Sequence, residues 1–260
     1  MSGQSPKDLP DESRARLAER GFAKGDLYNA ARPSYPHEAL DYFAETFSLD
    51  REMHVLDLGA GTGIFTRQIR PYVGRVTAVE PSSSMRASLE ASGVDAEVLD
   101  GSDVEIPLAK GSIDVAFVAQ AFHWFDPPRA LKELHRVLVP RGGLGLIWNE
   151  RDESVEWVAQ LSHAMMWDIK APYQVGTDFS LQIADGPFTD IERIHFPHSQ
   201  TLSREGLYQR VLTTSYISAM DEGARAGLME NVAAVVEQLP EPIVLPYVTE
   251  VYSAWADDSL

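Results

Sequence analysis

The stretch Val55-Leu-Asp-Leu-Gly-Ala-Gly-Thr-Gly63 joins a short apolar run to three glycines spaced two residues apart. A buried strand that enters a glycine-rich turn and then a helix brings a ligand close to the backbone. The dinucleotide fingerprint G-x-G-x-x-G fails in both registers, because Ile64 and Thr66 stand where the third glycine would be. The carboxylate of Asp57 at the loop entrance favours instead a ligand with a cationic end.

Apolar strands alternate with amphipathic helices on both sides of this loop. The pattern predicts strands at 53–58, 75–80, 95–100, 112–122 and 142–149, and helices at 37–49, 64–73, 83–92 and 127–140. Such alternation is typical of an α/β fold with a doubly wound, mostly parallel sheet and helices on both faces. After residue 150 the order weakens, and we expect a helix at 154–169, a strand at 191–202, helices at 204–220 and 222–239, and a β-rich segment at 242–256.

We expect a single domain that consists of four parts. These are an N-terminal tail and lid segment (1–36), a cofactor-binding core (37–150), a small helical cap (151–190) and a C-terminal part that completes the sheet (191–260).

The composition narrows the range of partners. The 260 residues include 22 Lys and Arg against 39 Asp and Glu, a formal net charge of −17 at pH 7. A surface this acidic repels phosphate backbones and anionic lipid, so we expect a small-molecule substrate and neither a nucleic acid nor a membrane as partner. There is no cysteine, and the histidines lack metal-ligand spacing, so no metal is expected. The polar N-terminus and the absence of a long apolar run predict a cytoplasmic protein. We expect it to be a monomer or a homodimer.

A second acid, Glu80, ends the second predicted strand and is followed by Pro81. In nucleotide-binding sheets an acid at this position accepts hydrogen bonds from the ribose hydroxyls. Together with Asp57, it indicates a nucleoside that carries an amino acid.

At this point the sequence resembles the class I S-adenosylmethionine-dependent methyltransferases. VLDLGAGTG is similar to their first motif, Glu80 in AVEPS to the acid that binds ribose, and Asp100–Asp103 before IPL to the segment that contacts adenine. SIDVAFVAQAFHWFD and LVPRGGLGLIWN resemble their fourth and fifth strands. The patterns Y-x-x-A-R-P-x-Y-P (28–36) and Q-A-F-H-W-F-D (120–126) resemble a small-molecule branch that includes trans-aconitate methyltransferases. The resemblance implies a Rossmann-like seven-stranded sheet and S-adenosyl-L-methionine as cofactor.

The predicted cofactor-binding residues come from the glycine loop, the acid after the second strand and the segments that carry the resemblance. The resemblance also implies that a lid with Tyr28 and Arg32 closes over the cofactor's carboxylate. Asp103 could equally cap a turn or a helix. The full set is Tyr28, Arg32, Asp57, Gly59, Ala60, Gly61, Gly63, Glu80, Pro81, Ser102, Asp103, Val104, Gln120 and Ala121.

Substrate-binding residues are predicted at the ends of the fourth and fifth strands and in the lid: Tyr35, His123, Trp124, Trp148, Asn149 and Arg151. His123 is the candidate catalytic base because imidazole accepts a proton near neutral pH, and the alternative is that it only shapes the pocket. Arg32 and Arg151 suggest an acceptor with an anionic group, since Arg presents a bidentate fork to carboxylates. The alternative is that Arg32 binds only the cofactor's carboxylate and Arg151 pairs with Asp152 or Glu153 in solvent.

The predicted function is transfer of a methyl group from S-adenosylmethionine to a small molecule, at the oxygen of a hydroxyl or carboxylate, by positioning the reactants in an apolar pocket that excludes water. Two alternatives stay open. One is an S-adenosylmethionine-binding protein with a non-methylating or non-catalytic role. The other is a nicotinamide-dependent oxidoreductase, which the broken fingerprint disfavours.

Overall fold

The computed structural model describes residues 31–166 and 178–259 of the chain. The first part contains α1 (His37–Thr46), β1 (His54–Leu58), α2 (Ile64–Ile69), β2 (Arg75–Val79), α3 (Ser83–Ala91), β3 (Glu97–Leu99), β4 (Ile113–Ala119), α4 (Pro127–Val137) and β5 (Leu138–Arg151). The second part contains α5 (Glu156–Ala164), α6 (Ser180–Ala184), β6 (Phe188–Leu202), α7 (Arg204–Leu212), α8 (Ser215–Ser218), α9 (Glu222–Val236) and β7 (Ile243–Ala256). Short 3-10 helices lie at Arg70–Tyr72 and Phe122–Trp124.

The strands form one seven-stranded sheet in the order β3-β2-β1-β4-β5-β7-β6. Strands β1 to β5 pair in parallel, and Leu56 of β1 lies opposite Thr77 of β2 and Ala116 of β4. After β1 the chain builds β2 and β3 on one side and then returns to β4 on the other, so the carboxyl ends of β1 and β4 flank a topological switch point. Ligands of such sheets bind at this point. The predicted fold class is confirmed.

The chain divides into two compact units. The sheet unit comprises residues 34–149, 178–196 and 249–259, and the helical unit comprises residues 31–33, 150–166 and 197–248.

Two cores cover the two faces of the sheet unit. Leu56 and Ala116 pack in one cluster with residues of α4, whereas Val55, Val115 and Phe117 pack in another with residues of α1 and α2. Because neighbouring residues of a strand point to opposite faces, this parity shows that both faces are buried.

The helical unit has a core of its own. Val158 of α5, Leu207 of α7 and Val232 of α9 pack there with Leu245 and Tyr247 of β7. The apolar residues of each helix follow helical spacing, which is why one face of each is buried.

Helix starts follow local capping chemistry. The side chains of Ser82, Asp126, Ser203 and Asp221 each accept a hydrogen bond from a backbone N–H three residues later, at the starts of α3, α4, α7 and α9.

Several predicted boundaries are wrong; for example, the helix predicted at 127–140 ends at Val137 and the helix predicted at 64–73 ends at Ile69. β5 begins at Leu138 and not at 142, because Leu138 is buried and pairs with Ile113 of β4. The helix predicted at 204–220 is divided into α7 and α8 at Thr213 and Thr214, where the hydroxyl of Thr213 donates to the carbonyl of Arg210. Part of the predicted cap, 167–177, lies outside the described residues.

Candidate functional site

The three glycines after β1 serve different purposes. Gly59, Gly61 and Gly63 all have positive φ, +73°, +56° and +79°, which favours glycine. A Cβ on Gly59 would lie 2.7 Å from the Cβ of Ala121, and a Cβ on Gly63 would lie 2.1 Å from Leu89. A Cβ on Gly61 would meet nothing within 4 Å. Packing therefore requires glycine at the first and third positions, while Gly61 borders open space that a ligand can approach.

Several backbone donors of this loop are used within the protein. The N–H of Gly59 donates to the carbonyl of Val79 at 2.8 Å, and that of Gly63 donates to the carbonyl of Ala60 at 2.9 Å. The N–H of Gly61 donates to Oε2 of Glu80 at 2.9 Å. A pyrophosphate site needs such donors to point at the ligand. The loop is therefore poorly suited to phosphate and better suited to a ligand that fills space beside Gly61.

Asp57 is buried, and one of its two carboxyl oxygens has no hydrogen-bond partner among the described residues. Its side chain is fully buried, and the hydroxyl of Thr66 donates to Oδ2 at 2.6 Å. Oδ1 has no hydrogen-bond partner among residues 31–166 and 178–259. Burial raises the pKa of Asp57 to about 7; the bond from Thr66 opposes this rise and the nearby charge of Glu80 adds to it. A buried carboxyl with an unsatisfied oxygen fits the cationic end of a ligand.

Glu80 fastens the loop to the end of β2. Besides the N–H of Gly61 on Oε2, its Oε1 accepts the N–H of Ser82 at 2.8 Å. Burial raises the pKa of Glu80, whereas these two backbone bonds lower it. Each carboxylate oxygen keeps a second lone pair that can accept a ribose hydroxyl. Pro81, also predicted to bind the cofactor, lies between Glu80 and Ser82 and is exposed.

The residues predicted to contact adenine form a partly buried turn after β3. Ser102 and Glu105 exchange two backbone hydrogen bonds, of 3.2 and 3.3 Å. Oδ2 of Asp103 accepts the N–H of Asp126, the N-cap of α4, at 3.0 Å. Asp103 thus anchors the start of a helix, and a contact from it or Val104 to adenine stays a prediction.

Gln120 joins the carboxyl ends of two neighbouring strands. Its φ of +56° is uncommon for a residue with a side chain. Its N–H donates to the carbonyl of Ile147 at 2.9 Å, and its Nε2 donates to the carbonyl of Asn149 at 3.1 Å. Ala121 follows, and its Cβ is the atom that a side chain at Gly59 would strike.

His123 and Trp148 contact one another in a buried aromatic cluster. Nε1 of Trp148 donates to Nδ1 of His123 at 3.4 Å. The indole also stacks on Phe179 with ring centroids 4.4 Å apart, and Trp124 lies 5.4 Å from the imidazole. Because Nδ1 accepts, the neutral imidazole carries its proton on Nε2. The contact with Trp148 fixes the imidazole in the wall of this cluster, and its role as a base stays a prediction.

Asn149 is tied into the protein through three of its polar groups. Its carbonyl accepts from Gln120, its Nδ2 donates to the carbonyl of Ser34 at 2.9 Å, and its Oδ1 accepts the hydroxyl of Thr249 at 2.6 Å. Its predicted contact with substrate stays a prediction, whereas its role in holding the segment before α1 is observed.

Tyr35 of the predicted lid is held by Gln68 of α2. The N–H of Tyr35 donates to Oε1 of Gln68 and its carbonyl accepts from Nε2, both at 2.8 Å. The side-chain amide of Gln68 thus forms both hydrogen bonds with the backbone of Tyr35 that a neighbouring strand would form. Sequence reasoning missed Gln68 and Thr249; the pattern at 28–36 marks the lid segment, but nothing in the sequence marks its partners.

The predicted arginines lie in the helical unit. Nη2 of Arg32 donates to the carbonyl of Thr213 at 2.8 Å, and Nε of Arg151 donates to the hydroxyl of Ser162 at 3.0 Å. Burial lowers the pKa of Arg151, and the charge of Arg210 lowers it further. The surroundings of Arg151 therefore differ from the solvent-exposed pairing given above as the alternative. Tyr28 lies outside the described residues.

Within residues 31–166 and 178–259, no group of three or more His, Cys, Asp or Glu residues could hold a metal ion. No helix there has both the length and the apolar character needed to cross a membrane.

The geometry at the carboxyl ends of β1, β2 and β4 fits S-adenosylmethionine. Asp57 offers a buried oxygen to a cation, Gly61 leaves room beside the backbone, and Glu80 can accept from a ribose.

Comparison with known proteins agrees with this fit. A family model described as a methyltransferase domain matches residues 56–146. An uncharacterized methyltransferase of Mycobacterium tuberculosis is 35% identical over 235 residues, which cover 88% of this chain and 92% of that protein. An uncharacterized methyltransferase-like protein of Schizosaccharomyces pombe is 32% identical over 234 residues, with 87% and 91% covered. The fold is similar to that of a putative methyltransferase from an antibiotic biosynthesis pathway of Anabaena variabilis, with a TM-score of 0.63, 17% identity, and 86% of this chain and 98% of that chain covered.

Proposed function

The chain belongs to the class I S-adenosylmethionine-dependent methyltransferases, and we propose that it methylates an oxygen atom of a small molecule, as the resemblance to the trans-aconitate branch suggests. Membership of this family sets aside the nicotinamide-dependent alternative. It leaves the acceptor to be inferred from the site.

Residues of the sheet unit would hold the cofactor. When bound, S-adenosylmethionine supplies an electrophilic methyl group on a positively charged sulfur. Asp57 and Glu80 place two carboxyl groups in buried surroundings, where attraction to a cationic ligand is stronger than in water. Gly61 leaves the backbone open on that side. Gln120 and Asn149 keep the ends of β4 and β5 in register beside it.

Burial of the predicted acceptor residues is the observation that supports a small molecule. His123, Trp148 and Asn149 are 3%, 2% and 6% exposed. A folded macromolecule would need an open surface at these positions, whereas a small acceptor can be enclosed and kept from water. The net charge of −17 also disfavours a nucleic acid.

His123 would contact the acceptor, either as a general base or as a wall of the pocket. Glutamine can replace Nε2–H by an amide N–H but cannot take up a proton. If His123 is a wall of the pocket, His123→Gln keeps kcat within about tenfold and the pH profile unchanged. If His123 is the general base, kcat falls by about 10²–10⁴ and the pH dependence of kcat changes.

A screen for acceptors tests the function. The full-length protein is incubated with S-adenosylmethionine and compounds that offer a hydroxyl, carboxylate, amine or thiol, and release of S-adenosylhomocysteine is measured. We expect turnover with an oxygen acceptor and none with the Gly61→Val variant. Turnover confined to amines or thiols would overturn the oxygen assignment, and turnover confined to RNA or protein would overturn the small-molecule assignment.

A further inference from the structure

A buried carboxylate of the sheet unit, that of Glu250 on β7, accepts hydrogen bonds from three side chains. Its Oε1 accepts Nε of Arg193 at 2.6 Å, a second bond from Nη2 of the same guanidinium, and Nε2 of His195 at 3.0 Å. Its Oε2 accepts the hydroxyl of Tyr252 at 2.9 Å. Glu250 is 8% exposed, so this carboxylate is paired inside the protein with donors on both oxygens.

The same network also holds the two residues that precede α6. Nη1 of Arg193 donates to Oδ2 of Asp178 at 3.1 Å. The hydroxyl of Tyr252, whose own hydrogen goes to Glu250, accepts the N–H of Phe179 at 3.3 Å. Burial raises the pKa of Tyr252, and the charge of Glu250 raises it further, so the hydroxyl keeps its hydrogen. Asp178 and Phe179 are therefore held from β6 and from β7 at once.

Phe179 contacts a predicted acceptor residue, Trp148. Its ring is 3% exposed and stacks on the indole, with ring centroids 4.4 Å apart and planes inclined by 9°. The ring of Tyr252 lies edge-on to both, 5.9 Å from the indole and 6.1 Å from Phe179. Nε1 of Trp148 donates to Nδ1 of His123 at 3.4 Å. Within the sheet unit, a continuous series of contacts thus joins Glu250 to His123.

Stabilisation of β6 and β7 alone does not explain why a charged network is used here. Burying a carboxylate with a guanidinium costs desolvation free energy, and an apolar pair of similar size often stabilises a fold as well or better. A satisfied polar network does fix one arrangement of its members. The members fixed here include Phe179, which lies against the indole of Trp148. In a reaction that depends on positioning, a displacement of about 1 Å can cost about 10²-fold in rate.

We propose that Glu250 and Tyr252 are positioning residues for methyl transfer that act through Phe179. By holding Phe179, they keep Trp148 and the imidazole of His123 in one orientation toward the acceptor. The inference rests on the proposed function, because it takes Trp148 and His123 to contact the acceptor. Glu250 and Tyr252 themselves contact neither acceptor nor cofactor, so cofactor affinity should not depend on them.

Hydrogen exchange of the Trp148 indole N–H tests this positioning without any acceptor. The full-length protein is saturated with S-adenosylhomocysteine, and the indole signal in ¹H–¹⁵N spectra is assigned by its loss in Trp148→Phe. Tyr252→Phe keeps the ring and removes the hydroxyl, so the N–H of Phe179 loses its acceptor. The exchange rate of the Trp148 indole should rise at least tenfold. The indole of Trp255, in the core on the other face of the sheet, should keep its rate within about twofold, which excludes general destabilisation.

Matched variants separate the network from a loss of any hydroxyl or any acid. Tyr72→Phe removes a hydroxyl of the same unit that donates to Asp41 at 2.8 Å, and it should leave exchange of the Trp148 indole unchanged. Glu250→Gln keeps the size of the side chain and removes its charge, so it should act like Tyr252→Phe. Glu250→Asp retains a carboxylate and should have a smaller effect, which keeps the test valid if the Gln variant does not fold.

Kinetics with an acceptor found in the screen give the second measurement. Tyr252→Phe should lower kcat about tenfold and leave the dissociation constant for S-adenosylmethionine within about twofold. Wild-type exchange of the Trp148 indole in both Tyr252→Phe and Glu250→Gln would overturn the proposal, with or without an acceptor. Faster exchange with a wild-type kcat would also overturn it and leave methyl transfer intact. Failure of the proposed function would appear differently, as absence of turnover by wild type while the exchange difference persists.

Discussion

The sheet unit and the helical unit differ in the sign of the charged side chains that they bury, Asp57 and Glu80 in the first and Arg210 in the second. In the sheet unit, burial raises the pKa of Asp57 and of Glu80, and each carboxyl is held by backbone N–H groups or a hydroxyl. In the helical unit, burial lowers the pKa of Arg151, and the described side-chain bonds of Arg151 and Arg210 go to hydroxyls. Buried like charges favour a ligand of opposite sign. The two carboxyl groups of the sheet unit thus suit a cationic cofactor.

The largest expected effect is loss of cofactor binding when the space beside Gly61, next to Asp57 and Glu80, is filled. Gly61→Val puts a branched side chain into the opening and should reduce S-adenosylmethionine binding by at least about a thousandfold. Gly93 is a matched control, because it also has positive φ, +70°, and nothing within 4 Å of an added Cβ. Gly93→Val should carry similar backbone strain and keep cofactor affinity within about twofold. Calorimetry that finds wild-type affinity in Gly61→Val would remove the loop from the site.

The next effect is on the pH dependence of the free energy of unfolding. It tests whether ionised Asp57 and Glu80 destabilise the fold when no ligand is bound. The pKa of Asp57 rises from 3.8 to about 7 on folding, so the folded state binds more protons than the unfolded state in this window. The free energy of unfolding should therefore fall as pH rises from about 4 to 7, by on the order of 3–4 kcal/mol from this group.

Asp57→Asn does not titrate, so urea unfolding at pH 5 and pH 8 should show a smaller difference in this variant. Glu80 acts in the same direction, because burial also raises its pKa, so part of the slope should persist. Saturating S-adenosylmethionine should reduce the slope in wild type, because a cation favours ionised Asp57. Equal slopes in wild type and variant would mean that Asp57 is not the titrating group.

A smaller effect tests the second acid. Glu80→Ala removes charge-assisted hydrogen bonds worth roughly 1.5–3 kcal/mol each and should weaken cofactor binding at least tenfold. Glu80→Asp should retain part of the affinity. Glu97→Ala is the control, since Glu97 is an exposed acid on β3 of the same unit, paired with Arg75. No change in Glu80→Ala would place the ribose on another group.

The sheet unit could be predicted from the sequence because its determinants are local. The strand, glycine turn and helix around Asp57 are adjacent in the chain, and the burial of both sheet faces follows from unbroken apolar strands. Glu80 could be predicted as a site residue because it directly follows an apolar strand, β2.

The connections of the helical unit and of the lid could not be predicted in the same way. Gln68 reaches Tyr35 across 33 positions, and Gln200 reaches Ala31 across 169. Arg210 lies on a helix, where an isolated charged residue is usually solvent-exposed, and only the fold brings Tyr247 against it. Propensity and spacing carry no information about such pairs.

No effect is expected in the last test, which measures retention of the protein on heparin, a polyanion. Wild-type protein should not be retained on heparin at about 0.15 M salt, where exposed charges more than about 8 Å apart are largely screened. A net charge of −17 repels the matrix, and Arg210 is too buried for a polymer to reach. Arg210→Gln should therefore elute with wild type. Salt-sensitive retention of wild type would favour a nucleic-acid substrate. Retention abolished by Arg210→Gln would show that this guanidinium faces the exterior.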